Sequence, residues 1–210
     1  MGTTNEILKN EDRSIPVTLS HEFWCCKQQL HQFGSSASLL LMANNNKEMR
    51  LAAFTAYGNF IRHLYAFYEG VIKYRNADQL EGAKGAAIGP KISNLLFKEV
   101  KKLIRNKRMV YNARPELDKR EIQHLIESEV PADFGKDFRQ MRNRFSHPAI
   151  SRVNKSQITL QEFYVRYHKY MLLLYYTCAF SWDIKNPDVY DWQEIDCFFN
   201  YVNKTSCTAI

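Results

Sequence analysis

Arg142 and His147 stand in RNRFSHP, a segment that also holds Asn143, Arg144 and Ser146 and stops at Pro148. An arginine is permanently charged and presents a planar fork suited to phosphate oxygens, whereas an imidazole can hold or release a proton near neutral pH. Together they fit phosphodiester cleavage, one side chain stabilising charge and the other moving protons. Asn143 can orient a phosphate or the histidine, and Ser146 can donate one more hydrogen bond. The plainer reading is a helix C-terminus whose dipole is complemented by Arg144 and His147.

Residues five apart on a continuous helix point about 140° away from each other, so Arg142 and His147 need a break to meet. Pro148 disfavours the α conformation at His147. The segment therefore predicts a helix that ends at the motif and folds the imidazole back towards the guanidinium.

The elements that must hold this motif read as helices throughout. Between Ser20 and Met42, Phe23, Cys26, Leu30, Phe33, Ala37 and Leu40 recur in steps of three and four, one buried stripe on a long helix. After the turn at 44–46 the rhythm resumes at Phe54, Tyr57, Ile61, Leu64, Tyr68 and Val71, a second helix ending near Tyr74. Two such helices with a short joint should lie antiparallel. The glycines of Glu81 to Pro90 suggest a mobile loop, and no GxxxxGK[ST] spacing supports a phosphate cradle there. A third helix is expected from Ile92 to Met109, with Leu96, Val100 and Leu103 inward. A fourth is expected from a cap at Asp118 to about Glu129, with Ile122, Leu125 and Ile126 on its apolar side. A fifth should run from Gly135 into the motif and a sixth from Thr159 to Trp182. No strand alternation appears, so the expected class is all-α, an antiparallel bundle of five to six helices. The chain divides into an N-terminal extension (1–19), a helical domain (20–182) and a C-terminal extension (183–210) with room for one short helix.

Charge narrows the partners. The 210 residues carry a net charge of +7, which favours anionic ones. Lys98 to Arg120 holds nine Lys or Arg against three acids, so it carries most of that excess. Lys98, Lys101, Lys102, Arg105 and Arg108 follow one another by three or four along one helical face. That face reads either as a solvated surface or as a track for an RNA backbone, with tyrosines and Met109 at its end for base stacking. The first residues, MGTTNEILKNEDRS, have no apolar core or cleavage-like site, and no apolar run is long enough to span a bilayer; a cytoplasmic protein without membrane contact is expected. The five cysteines, Cys25, Cys26, Cys178, Cys197 and Cys207, form no CxxC pair, so reduced thiols are expected and neither metal nor cofactor is called for. The final Cys207-Thr-Ala-Ile210 has only the outline of a prenylation box.

The pattern R-N-x-x-x-H, in an all-helical chain of this size, resembles the HEPN superfamily, whose ribonuclease members carry R-x(4–6)-H with a polar residue, often Asn, after the arginine. Arg142, Asn143 and His147 match those positions, and the helical reading agrees over residues 20 to 182. The resemblance implies a metal-independent endoribonuclease working as a homodimer, with two motifs forming one cleft, of the toxin or phage-defence kind. It implies an antitoxin or regulatory protein as a further partner. An acidic residue on an earlier helix often accompanies the motif, and Glu69 in YAFYEG is the candidate, set against a solvent-side glutamate. One subgroup has a modifiable tyrosine two positions beyond the histidine; Ala149 stands there in this chain. His63 and His124 are the other histidines weighed for proton transfer, each more simply packing or surface. Tyr164, Tyr167, Tyr170 and Tyr175 could supply part of a dimer interface, the plainer reading for most of these rings being core. The alternative is a non-catalytic HEPN-like module that binds RNA, a nucleotide or a protein partner.

Overall fold

A computed structural model describes residues 4–42, 46–83, 85–146, 158–182 and 193–206. The described residues are helical, without strands: α1 (Thr4–Leu41), α2 (Lys47–Arg75), the short α3 (Ala77–Leu80), α4 (Ile88–Ala113), α5 (Phe134–Ser146), α6 (Leu160–Trp182) and α7 (Gln193–Ser206). The all-α class follows from the rhythm of the apolar residues.

Helix α1 starts at Thr4, well before Ser20. The stripe explains the extra turns: Ile15 and Leu19 precede Phe23 by steps of four and pack on the core, so the apolar face continues past Pro16. At its other end the stripe loses its cover. Leu41 is 89% and Met42 77% exposed, and on α2 Leu51 and the expected inward Phe54 are also exposed. Helix α2 is otherwise the central element, burying Tyr57, Phe60, Ile61, Leu64, Tyr65 and Tyr68. Its start is capped by Asn46, whose side chain accepts from the Met49 N–H at 2.7 Å.

The segment 81–90 is only partly a loop. Gly82 and Gly85 take positive φ, 74° and 56°, as turn residues without a Cβ readily do. Helix α4 then begins at Ile88 and takes in Gly89 and Pro90. Pro90 falls in the first turn, where an N–H has no intrahelical partner anyway.

The expected helix from Asp118 to Glu129 is two separate 3-10 turns, Lys119–Ile122 and Glu127–Glu129. Asp118 does cap, accepting from the Arg120 N–H, and Ile122 and Leu125 are buried, whereas Ile126 is exposed. Helix α4 competes for the rest. Arg108 takes the Leu125 carbonyl at 3.1 Å, Arg105 holds the Glu127 carboxylate, and Tyr111 donates to Glu121. These contacts hold the segment against α4, and its own backbone bonds close as i→i+3 pairs, from Glu121 N–H to Asp118 and from Leu125 N–H to Ile122.

Two glycines let α5 sit close to its neighbours. A Cβ on Gly58 of α2 would lie 2.0 Å from the Phe145 ring, and one on Gly135 of α5 would lie 1.9 Å from the Ser93 carbonyl of α4. Phe134, Phe138 and Met141 fill the resulting core against α6 and α2, with Tyr65 edge-on to Phe138. On α6, Tyr167, Tyr170 and Tyr175 are buried against Phe134 and Phe23. That is the core reading for these three: their apolar surface is spent inside the protomer. Tyr164 alone of the four is exposed, and it stacks on His168 at 4.3 Å. No helix among the described residues is long and apolar enough to cross a membrane.

Candidate functional site

The site is built where the last turns of α5 cross α2. Met141 anchors α5 in the core and thereby turns its neighbour Arg142 towards α2, where Tyr65 and Glu69 lie one helical turn apart. Arg142 Nη2 donates to Glu69 Oε2 at 3.0 Å, and Arg142 Nη1 donates to Asn143 Oδ1 at 3.0 Å. Lys73, a further turn along α2, holds the other carboxylate oxygen at 2.8 Å. Glu69 is therefore not a solvent-side residue: its side chain is 17% exposed, and Arg142's is 32%.

The Arg142 guanidinium also lies over the Tyr65 ring, 5.2 Å from its centroid. Burial, then the Glu69 charge, pushes the Tyr65 hydroxyl well above the usual phenol range, while Arg142 and Arg139 oppose the shift. The phenol stays neutral and its face attracts the cation. Two of the guanidinium's five N–H groups are thus engaged by Glu69 and Asn143 among the described residues, with the fork pinned from one side. Such a group can present its remaining donors to an anion without reorganising.

The rest of the motif divides. Ser146 Oγ donates to the Arg142 carbonyl at 3.0 Å, so its hydroxyl proton serves the helix rather than a ligand. Arg144 points about 200° away from Arg142. Its Nη1 donates to the Ile158 carbonyl, tying the end of α5 to the start of α6. Helix α5 is described through Ser146, so His147, Pro148 and Ala149 lie outside the described residues, as does Cys207.

Neither substitute histidine is bonded to Arg142's partners among the described residues. His63 Nε2 accepts from its α2 neighbour Arg62 at 2.8 Å, which leaves Nδ1 to donate across to Glu22 Oε2 of α1 at 2.8 Å. His124 is exposed and offers its carbonyl to Lys169 at 2.9 Å.

The basic face of α4 exists but is partly occupied. Lys98 and Lys102 are exposed, Lys102 lying 3.6 Å from Glu99, and the Lys101 ammonium lies 5.4 Å from the Phe97 ring centroid. Arg105 forms a two-pronged pair with Glu127, at 2.8 and 3.2 Å. That pair raises the Arg105 pKa and lowers that of Glu127.

Sequence reasoning missed Tyr65 and Lys73, which flank Glu69, and Lys136 and Arg139, which precede Arg142 on α5. Spacing carried the signal in both places: Tyr65, Glu69 and Lys73 repeat by four, and Lys136, Arg139 and Arg142 by three. Among the described residues no group of three His, Cys, Asp or Glu is placed to hold a metal ion. No family model, curated protein or solved structure matches the chain.

Proposed function

We propose that the chain is a metal-independent endoribonuclease of the HEPN kind, acting as a homodimer in a toxin or phage-defence role. The observation that supports it most is the Glu69–Arg142 contact: a carboxylate on one long helix fixes the motif arginine on another, over a neutral tyrosine ring. In this reading the ribose 2′-OH attacks the adjacent phosphorus and the P–O5′ bond breaks, leaving a 2′,3′-cyclic phosphate and a 5′-OH. Arg142 stabilises the charge that gathers on the phosphorane oxygens. Glu69 is a positioning residue that holds the fork, and Asn143 steadies its other edge. His147 moves the proton from the attacking oxygen or to the leaving one. A single motif offers one such histidine, so a two-fold partner supplies the second.

The test compares wild-type protein with His147→Ala on single-stranded RNA in excess EDTA. Cleavage by the wild type alone, with cyclic phosphate ends, is the expected result. Products bearing a 5′-phosphate, or activity that returns only with magnesium, would replace this reaction with a metal-assisted one. Mixing the two chains should lower activity more steeply than the wild-type fraction falls, because mixed dimers carry an incomplete cleft. A linear loss would remove the composite site.

A further inference from the structure

Beside the Gly135–Ser93 approach, α4 and α5 part to leave a cavity of about 460 Å³, lined by Pro90, Asn94 and Phe97 on one wall and Lys136 and Arg139 on the other. Its charge is unbalanced. Arg139 has no carboxylate partner among the described residues, and its buried Nε has no hydrogen-bond partner there. The nearest acid to Lys136 is Asp133, at 4.0 Å, and both side chains are mostly exposed. A permanently charged, partly buried guanidinium without a counter-charge is costly, and an anion in the cavity would offset that cost.

The cavity does not stand alone. Lys136, Arg139 and Arg142 follow one another by three on α5, each step turning about 60°, so they wind round the helix over an axial rise of about 9 Å, and Arg139 and Arg142 both lie near enough to Tyr65 to act on its hydroxyl. On the α4 wall, Phe97 leads to Lys101, whose ammonium lies over its ring. Arg139 also lies close against α4: a Cβ on Gly89 would lie 2.0 Å from its Nη1, so a larger residue there would push the guanidinium aside.

We propose that this groove seats the RNA phosphates next to the one at Arg142, with Arg139 on the nearer and Lys136 on the farther, and that Lys101 carries the strand on towards the basic face of α4. The phosphate fits because a planar fork and a flexible ammonium, one turn apart, supply directed and undirected positive charge in turn. The proposal deepens the nuclease reading and rests on it for the strand's direction.

The probe is a single-stranded RNA of about 12 nucleotides, bound to the full chain carrying His147→Ala and followed by anisotropy across a salt series. Adding Lys136→Gln and Arg139→Gln should flatten the slope of log affinity against log salt by about 0.7 for each phosphate no longer neutralised. Gly89→Ala keeps the net charge and favours the helix, yet it displaces the Arg139 head; it should weaken binding several-fold while leaving the melting temperature equal or higher. Unchanged slope and affinity in the double variant, or Gly89→Ala binding at full strength with the double variant impaired only in stability, would overturn the groove. Wild-type cleavage is scored separately. A protein that binds through this groove but never cuts RNA loses the nuclease reading and keeps the groove; one that cuts with an unaltered slope loses the groove alone.

Discussion

Arg142 with Glu69 and Arg105 with Glu127 are the same chemical pair in two settings. The first lies at the crossing of two packed helices, 17% exposed at the acid and pressed on an aromatic ring. The second joins α4 to a surface turn, with Arg105 61% exposed. Water screens the second and leaves it little net worth, whereas the first holds a geometry because its surroundings admit few others. An ion pair read from sequence spacing says nothing of this; the neighbouring rings and glycines decide whether it positions a group or decorates a surface.

Arg142→Ala should break the comparison most visibly. Removing a donor aimed at developing charge costs about 10²–10³ in rate, and RNA cleavage by this variant should fall at least that far with the melting curve little altered. Near wild-type turnover would move the chemistry away from α5.

Glu69→Gln keeps the size and removes the charge that pins the fork. Cleavage should drop by about tenfold, less than for Arg142→Ala, chiefly in kcat, because positioning rather than charge stabilisation is impaired. Should Glu69→Gln equal Arg142→Ala, the carboxylate itself takes part in proton transfer. At the exposed pair the sign reverses: Glu127→Gln removes a carboxylate that competes with phosphate for Arg105, so RNA should bind somewhat more tightly at unchanged melting temperature. Weaker binding by Glu127→Gln would show that the turn, not the cation, meets the strand.

The smallest effect concerns His168. The Tyr57 hydroxyl and the His168 Nδ1 share a hydrogen bond at 2.9 Å, and burial lowers the imidazole pKa below the ordinary value. The folded state therefore binds the proton less readily than the unfolded chain. Its contribution is present above the unfolded pKa and is lost as the pH falls through and below about 6.5. Wild-type melting temperature should drop more steeply than that of His168→Gln on going from pH 7.5 to about 5. Parallel curves would mean that protonation at this ring costs the fold nothing.

Where the apolar rhythm was long, the sequence located the elements closely. Helix α6 begins one residue after Thr159, and α5 one residue before Gly135. The segment from Asp118 to Glu129 failed because its cap and its Ile122–Leu125 spacing suit a 3-10 turn as well as an α-helix, and its outcome depends on α4 side chains that lie elsewhere in the chain. Glu69 was legible as an acid interrupting an aromatic face; that Tyr65 and Lys73 complete its surroundings required knowing which side of α2 meets α5. For Tyr167, Tyr170 and Tyr175 the sequence left core and interface both open, since a stripe of rings on a helix has the same spacing whether it faces a core or a partner.

The Gly58–Phe145 approach bears on the order in which the molecule comes together. Helices α1 and α2 are neighbours in the chain and can pair with little loop entropy, whereas Glu69 and Arg142 are 73 residues apart. The arginine's surroundings exist only once α5 has docked, and that docking hangs on a ring seated over a bare Cα. Amide exchange along α5 should then proceed through a partial opening that leaves the inner turns of α2 protected, and Gly58→Ala should speed it selectively. By this route the chain can hold its longest helices formed while its motif arginine stands undocked, a state in which a ribonuclease would be folded and silent.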